Sequence, residues 1–211
     1  MSGLFRSLFI TGLLALAGNG IAAPLLTDDE LLSALRAGGF NIYFRHVATD
    51  WSLSDQVKKA DDWRSCDPAR MRQLSTAGRD HARTIGEAMR SLKIPVGEVI
   101  ASPYCRTRET AELMHLGPVV ESFQVMNLRA AAFVGGRSAI IANARSLLAS
   151  SPASGTNRVI VAHGNVAREA TPVYPDEGEA VVFVPAGEDG FTLRARIGVK
   201  DWSQLLELAG N

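Results

Sequence analysis

Short apolar runs alternate with amphipathic stretches along this chain. Asn41-Ile42-Tyr43-Phe44 and Val159-Ile160-Val161-Ala162 are brief and rich in β-branched or aromatic residues, and polar or glycine positions bound them. Such runs read as buried strands of a parallel sheet. Gly97 to Ala101 and Val119 to Val125 read as two more. Between the runs, apolar positions return at helical spacing. Thr27-Asp28-Asp29-Glu30 is a capping-box pattern ahead of Leu31, Leu32, Ala34 and Leu35, and Gly38-Gly39 close that helix. Ala82, Ile85, Met89 and Leu92 predict a second helix starting at Ser75 or Thr76. Arg106 to Met114 predicts a third, and Ile140, Ile141, Ala144, Leu147 and Leu148 mark a fourth. Glu179 to Val184 and Phe191 to Ile197 predict a hairpin at the sheet edge, followed by a short helix over Trp202 to Leu208. Strands alternating with helices imply an α/β fold of three layers, a mostly parallel sheet flanked by helices. Residues 48–73 fit no element; a long polar stretch inside a compact domain often serves as a lid or binding loop.

The N-terminus breaks this pattern. Arg6 precedes the apolar run Leu8 to Leu16, and small residues follow through Gly20-Ile21-Ala22-Ala23. This is the layout of a secretory signal peptide over residues 1–23, with the cut after Ala17, Ala22 or Ala23. The expectation is a periplasmic or secreted protein, one domain over 24–211, with no stable membrane insertion once the signal is removed. The chain has 211 residues and a formal net charge of zero, so nothing in its charge points to nucleic acid or to an anionic membrane surface. Cys66 and Cys105 are its two cysteines. In an exported protein such a pair forms a disulfide or stands as two separate thiols in loops; the disulfide is the expectation. Cys66 also opens a Cys-x5-Arg string ending at Arg72. It lacks the glycines that let backbone amides wrap a phosphate, so it reads as coincidence.

Candidate chemistry gathers where the strands end. In open α/β sheets, ligands bind beyond the carboxyl ends of the strands. Arg45-His46 follows the first run, His163-Gly164-Asn165 follows another, and Arg106 follows a third. Taken singly, each is an ordinary surface charge, helix ion pair or satisfied histidine. Taken together, they place basic groups at the ends of three strands. An arginine fork matches phosphate oxygens in pairs, and a neutral imidazole can attack phosphorus.

The motifs around these residues resemble the histidine phosphatase superfamily, the phosphoglycerate-mutase-like proteins. Arg45-His46-Val47-Ala48-Thr49 is similar to the family's Arg-His-Gly-x-x-Thr motif. Leu74-Ser75-Thr76-Ala77-Gly78 is similar to its Leu-Thr-x-x-Gly helix start. Ala101-Ser102-Pro103-Tyr104-Cys105-Arg106, running on to Thr110-Ala111, is similar to its Ser-Ser-Pro-x-x-Arg-x-x-x-Thr-Ala segment. His163 in Val161-Ala162-His163-Gly164 matches the second family histidine. Order and spacing agree from about residue 40 to 165, and Glu177 to Phe183 looks similar to exported bacterial members.

The resemblance implies a phosphoglycerate-mutase-like fold and a metal-independent phosphomonoesterase without cofactor. His46 would be the nucleophile. Arg45, Arg106 and His163 would hold the phosphoryl oxygens of a small phosphorylated substrate, with Asn165 beside them. Neither carboxylate position of the family is filled: Arg129 follows Leu128, and Gly164 follows His163. Glu177 is the expected proton donor, with Glu179 and Asp50 behind it. Val47 stands where the family carries glycine, and a β-branched residue there crowds the backbone. The alternative function is a non-catalytic binding protein for phosphate or a phospho-ligand. Arg108 is expected in a salt bridge, and His81 and His115 read as structural or surface residues.

Overall fold

The strand Asn41–Arg45 (β1) is buried along its whole length, as its unbroken apolar run requires. It lies at the centre of a computed structural model that describes residues 24–210. The signal-like segment 1–23 lies outside the described residues. The other strands are Val96–Ala101 (β2), Val119–Glu121 (β3), Asn157–Ala162 (β4), Ala180–Pro185 (β5) and Phe191–Ile197 (β6). They form one sheet in the order β3-β2-β4-β1-β5-β6. β1 to β4 run parallel to their neighbours among themselves, and β5 and β6 add an antiparallel hairpin with β6 at the edge. The expected three-layer, mostly parallel sheet is present.

Alternating side chains divide the core in two, because successive strand residues face opposite sides of the sheet. Ile42, Phe44, Val159 and Val161 join one cluster with Leu31, Leu32 and Leu35 of α1 (Asp28–Ala37). α2 (Thr76–Ser91), α3 (Cys105–Met114) and α6 (Asp201–Gly210) pack into the same cluster through Ile85, Met89, Met114 and Trp202. Tyr43, Ile160 and Ala162 face the other layer, where α4 (Arg137–Ala149) and α5 (Gly164–Ala170) pack. Among the described residues no helix is long and apolar enough to cross a membrane.

Local signals set the element ends. The Glu30 carboxylate reaches back to accept the Thr27 N–H at 3.0 Å at the start of α1. Ser75 Oγ accepts the Gly78 N–H at 3.0 Å and caps α2. One expectation fails in part. The run Val119 to Val125 is a strand only as far as Glu121, and Phe123–Val125 is a 3-10 turn. Ser122 Oγ accepts the Gln124 N–H at 3.2 Å, and this side-chain cap diverts the backbone out of the ladder.

Residues 48–73 lie over the carboxyl edge of the sheet with little regular structure. The segment is pinned at several points. Trp63 is buried against Phe123 and Phe133, the Gln56 N–H donates to the Arg70 carbonyl at 2.8 Å, and Thr49 bridges to Leu74. Cys66 and Cys105 are joined by a disulfide, with Cα atoms 5.4 Å apart. The bond ties this segment to the first residue of α3, next to Arg106.

Candidate active site

The strand register brings the two histidines together. Arg45 of β1 pairs with Ala162 of β4, so His46 and His163 are the next residues on adjacent parallel strands. Strands in a sheet lie about 4.8 Å apart. The two imidazole centroids accordingly lie 5.7 Å apart. β2 flanks β4 on the other side and delivers Ser102 and then Arg106 to the same edge. Arg45, His46, Arg106, His163 and Asn165 all line one cavity of about 280 Å³.

His46 is 2% exposed. Its Nδ1 lies 3.0 Å from the Val47 carbonyl oxygen, which can only accept. A neutral ring must therefore carry its hydrogen on Nδ1, which leaves the Nε2 lone pair bare. Burial holds His46 well below the usual histidine range, and the positive charges of Arg106, Arg45 and Arg72 push the same way. His163 is lowered well below its usual range too, first by burial and then by Arg106. Its Nε2 shares a 2.9 Å hydrogen bond with Ser102 Oγ, and its Nδ1 is buried without a partner. The Tyr43 hydroxyl donates to the His163 carbonyl at 2.8 Å and accepts the His163 N–H at 3.1 Å. This fixes the backbone of the second histidine from beneath the sheet.

Val47 does not crowd the cavity. The described non-glycine residues with positive φ are Asp61, Lys93 and His115, so Val47 holds a backbone conformation that any residue adopts. Its side chain is buried in the core cluster on the α2 face. Gly178 (φ 83°) packs beside it, and an added Cβ there would meet Val47 Cγ1 at an ordinary 3.5 Å. Gly164 also has a steric cause. A Cβ there would lie 2.8 Å from the Tyr174 ring and 3.1 Å from Arg45 Cδ, so a side chain after His163 would have to displace Tyr174.

The cavity is crowded with cations. Arg45, Arg72, Arg106, Arg129 and Arg168 line it, and among the described residues Asp55 is the one carboxylate on its wall. Arg45 donates to the Pro175 carbonyl at 3.1 Å and lies 3.5 Å from Glu177. Arg106 forms a two-pronged pair with Asp55, at 3.0 and 3.2 Å, and the two side chains are 2% and 3% exposed. Arg72 stacks over the Trp51 ring at 3.9 Å, and burial together with Arg106 lowers its pKa below the usual arginine range. Like charges gathered this closely favour a bound anion.

Glu177 lies elsewhere than its expected role requires. Its carboxylate accepts the Thr49 hydroxyl at 2.7 Å and the Thr49 N–H at 3.3 Å, and it sits 4.0 Å from His46 Nδ1. It is therefore near the Nδ1 side of the ring, where it can orient Arg45 and His46, and it does not line the cavity that Arg106, His163 and Asp55 share. Glu179 is committed to Arg196 at 2.9 Å, and Asp50 accepts the Ser52 N–H at 2.9 Å. Arg108 pairs with Glu121 at 3.1 Å, the salt bridge expected of it. His81 and His115 do not line the cavity. Asp55, Arg72, Arg129 and Ser102 escape sequence reading. Ser102 belongs to the Ser-Pro-x-x-Arg motif and could have been found there, whereas Asp55 and Arg72 sit in the irregular segment with no periodic signal.

A larger groove of about 880 Å³ opens between residues 49–76 and α3. Its arginines, Arg79 and Arg108, are paired with Glu109 and Glu121, and no histidine lines it. The smaller cavity, which gathers both histidines and five arginines, is therefore the candidate site.

Comparison with known proteins agrees with the motif reading. Residues 42–133 match the model of the histidine phosphatase superfamily (branch 1). Among solved structures, the chain is similar to the protein histidine phosphatase SixA complexed with tungstate, at 13% identity and a TM-score of 0.51 over 77% of this chain and 98% of that one. It is similar to a mycobacterial glucosyl-3-phosphoglycerate phosphatase at 15% identity and a TM-score of 0.51, over 74% of this chain and 96% of that one. It is also similar to a Thermus thermophilus protein at 18% identity and a TM-score of 0.51, over 75% of this chain and 99% of that one. No curated protein matches the chain by sequence.

Proposed function

We propose that this chain, histidine-phosphatase-like in its motifs over residues 42–133 and phosphoglycerate-mutase-like in its fold, is an exported phosphatase that hydrolyses a small phosphomonoester through a phosphohistidine on His46. The observation that carries the reading is a neutral His46 with a bare Nε2, set in a cavity where, among the described residues, five arginines face a single carboxylate, Asp55. Nε2 attacks phosphorus, the P–N bond forms, and the P–O bond to the alcohol breaks. Arg45, Arg106 and His163, which line the same cavity, hold the phosphoryl oxygens, where charge spreads in the transition state. Water then attacks phosphorus, the P–N bond breaks, and phosphate leaves.

The names of two similar structures, a protein histidine phosphatase and a glucosyl-3-phosphoglycerate phosphatase, support phosphatase chemistry and differ in substrate. Export is supported by the three-part layout of residues 1–23 and by the Cys66–Cys105 bond, which persists in oxidising compartments.

The test is acid quenching of the mature protein with labelled substrate. Acid-labile phosphate is expected on His46, and His46→Ala should fold yet lose turnover by orders of magnitude. Phosphate binding without turnover or labelling across a broad substrate panel would instead establish the binding-protein reading.

A further inference from the structure

We infer that Asp55 is the proton donor to the leaving-group oxygen. The inference rests on the phosphatase reading above and names the group that reading lacks. Both family carboxylate positions are empty, and Glu177 faces the wrong nitrogen of His46. On the wall of the cavity that holds His46 and His163, Asp55 is the one carboxylate among the described residues.

The geometry of Asp55 suits the task. Its two oxygens take one N–H each from Arg106, and Oδ1 also accepts the Arg72 backbone N–H at 3.1 Å. The pair is dry, with both side chains almost fully buried. A buried ion pair is seldom more stabilising than apolar packing of the same volume, so stability alone gives little reason for a carboxylate here. As an anion in a phosphate cage it also opposes binding of the phosphorylated ground state.

These costs have a chemical return. The Arg106 donors that hold Asp55 are the donors a phosphoryl group would take. Once they turn to the phosphoryl oxygens, the carboxylate is left beside them with its own donors withdrawn, placed to take up a proton and return it. A phosphomonoester monoanion can bring that proton with it. In the first step His46 Nε2 forms the P–N bond, the P–O bond breaks, and the departing oxygen takes the proton from the Asp55 carboxyl, so an alcohol leaves rather than an alkoxide. In the second step the Asp55 carboxylate accepts a proton from the attacking water as the P–O bond forms and the P–N bond breaks. The carboxyl is then restored.

Leaving-group dependence tests this directly. An alkyl phosphate needs a protonated leaving group, whereas p-nitrophenyl phosphate releases a stable anion without one. Wild type and Asp55→Asn are compared on both substrates, with circular dichroism as the folding control. The expected result is a kcat loss of about 10²–10⁴-fold on the alkyl phosphate and a far smaller loss on the nitrophenyl ester. The high-pH limb of the kcat profile for the alkyl phosphate should vanish in the variant, and Asp55→Glu should recover part of the rate. Equal losses on both substrates would overturn the inference, because Asp55 would then only position Arg106. A gain on both substrates would overturn it in favour of a carboxylate that merely competes with phosphate. Wild-type activity confined to the nitrophenyl ester would overturn it too. Wild-type inactivity on both would instead reject the phosphatase reading itself.

Discussion

Burying two neutral histidines makes the stability of this fold depend on pH in a defined window. His46 and His163 are 2% and 1% exposed, and both pKa values lie well below the histidine reference of 6.5, chiefly through burial. Unfolding returns each ring to water, where its pKa is about 6.5. Below that pH the unfolded chain binds protons that the folded chain refuses, so stability falls as pH falls. The histidine contribution is therefore complete above pH 6.5 and is lost progressively on acidification towards the folded values. Between pH 7.5 and 5.5 each residue costs up to about 1.4 kcal/mol, or about 2.7 kcal/mol for the pair. Urea unfolding in phosphate-free buffer at half-unit pH intervals measures this. His46→Asn and His163→Asn should each remove about half of the dependence, and the double variant most of it. A flat wild-type profile, or variants with an unchanged slope, would refute the reasoning. The same depression keeps His46 unprotonated in mild acid, so loss of its lone pair should not set an acid limb of activity near pH 6.5.

Two further predictions concern the supports of the site. Replacing Cys66 and Cys105 with serine opens a loop closed across 39 residues; chain entropy assigns that bond roughly 4 kcal/mol. The urea midpoint should fall accordingly, and a change below about 1 kcal/mol would show that the segment is held without the disulfide. Gly78→Ala would put a Cβ 2.0 Å from the Ala48 carbonyl oxygen, two residues after the nucleophile. Backbone must move there, so a loss of about 1–3 kcal/mol together with a fall in kcat is expected, and unchanged calorimetry and kinetics would contradict the close packing of α2 on that segment.

Much of the site was legible because a parallel sheet is a one-dimensional device. The runs ending at Phe44 and Ala162 are nearly uniformly apolar, so they had to be buried, and buried parallel strands deliver their succeeding residues to one edge. That logic alone brings Arg45, His46, Arg106 and His163 together. It also carries the hairpin over β5 and β6, where each strand shows its own signal. What the logic missed came from contacts with no local signature. Val47 looked obstructive in sequence; in space its backbone conformation is ordinary and its side chain is buried in the core. Glu177 was near the site along the chain, but its bonds to Thr49 fix it behind His46. Asp55 belongs to a stretch without period, and its place depends on the Trp63 anchor, the Gln56–Arg70 bond, the Cys66 bridge and the pull of Arg106. The sequence by itself determined the sheet, its edge and the basic groups upon it, because strand burial is written in consecutive residues. The choice of the carboxylate that meets them was left to the tertiary structure, because an irregular segment takes its position from partners far away in the chain.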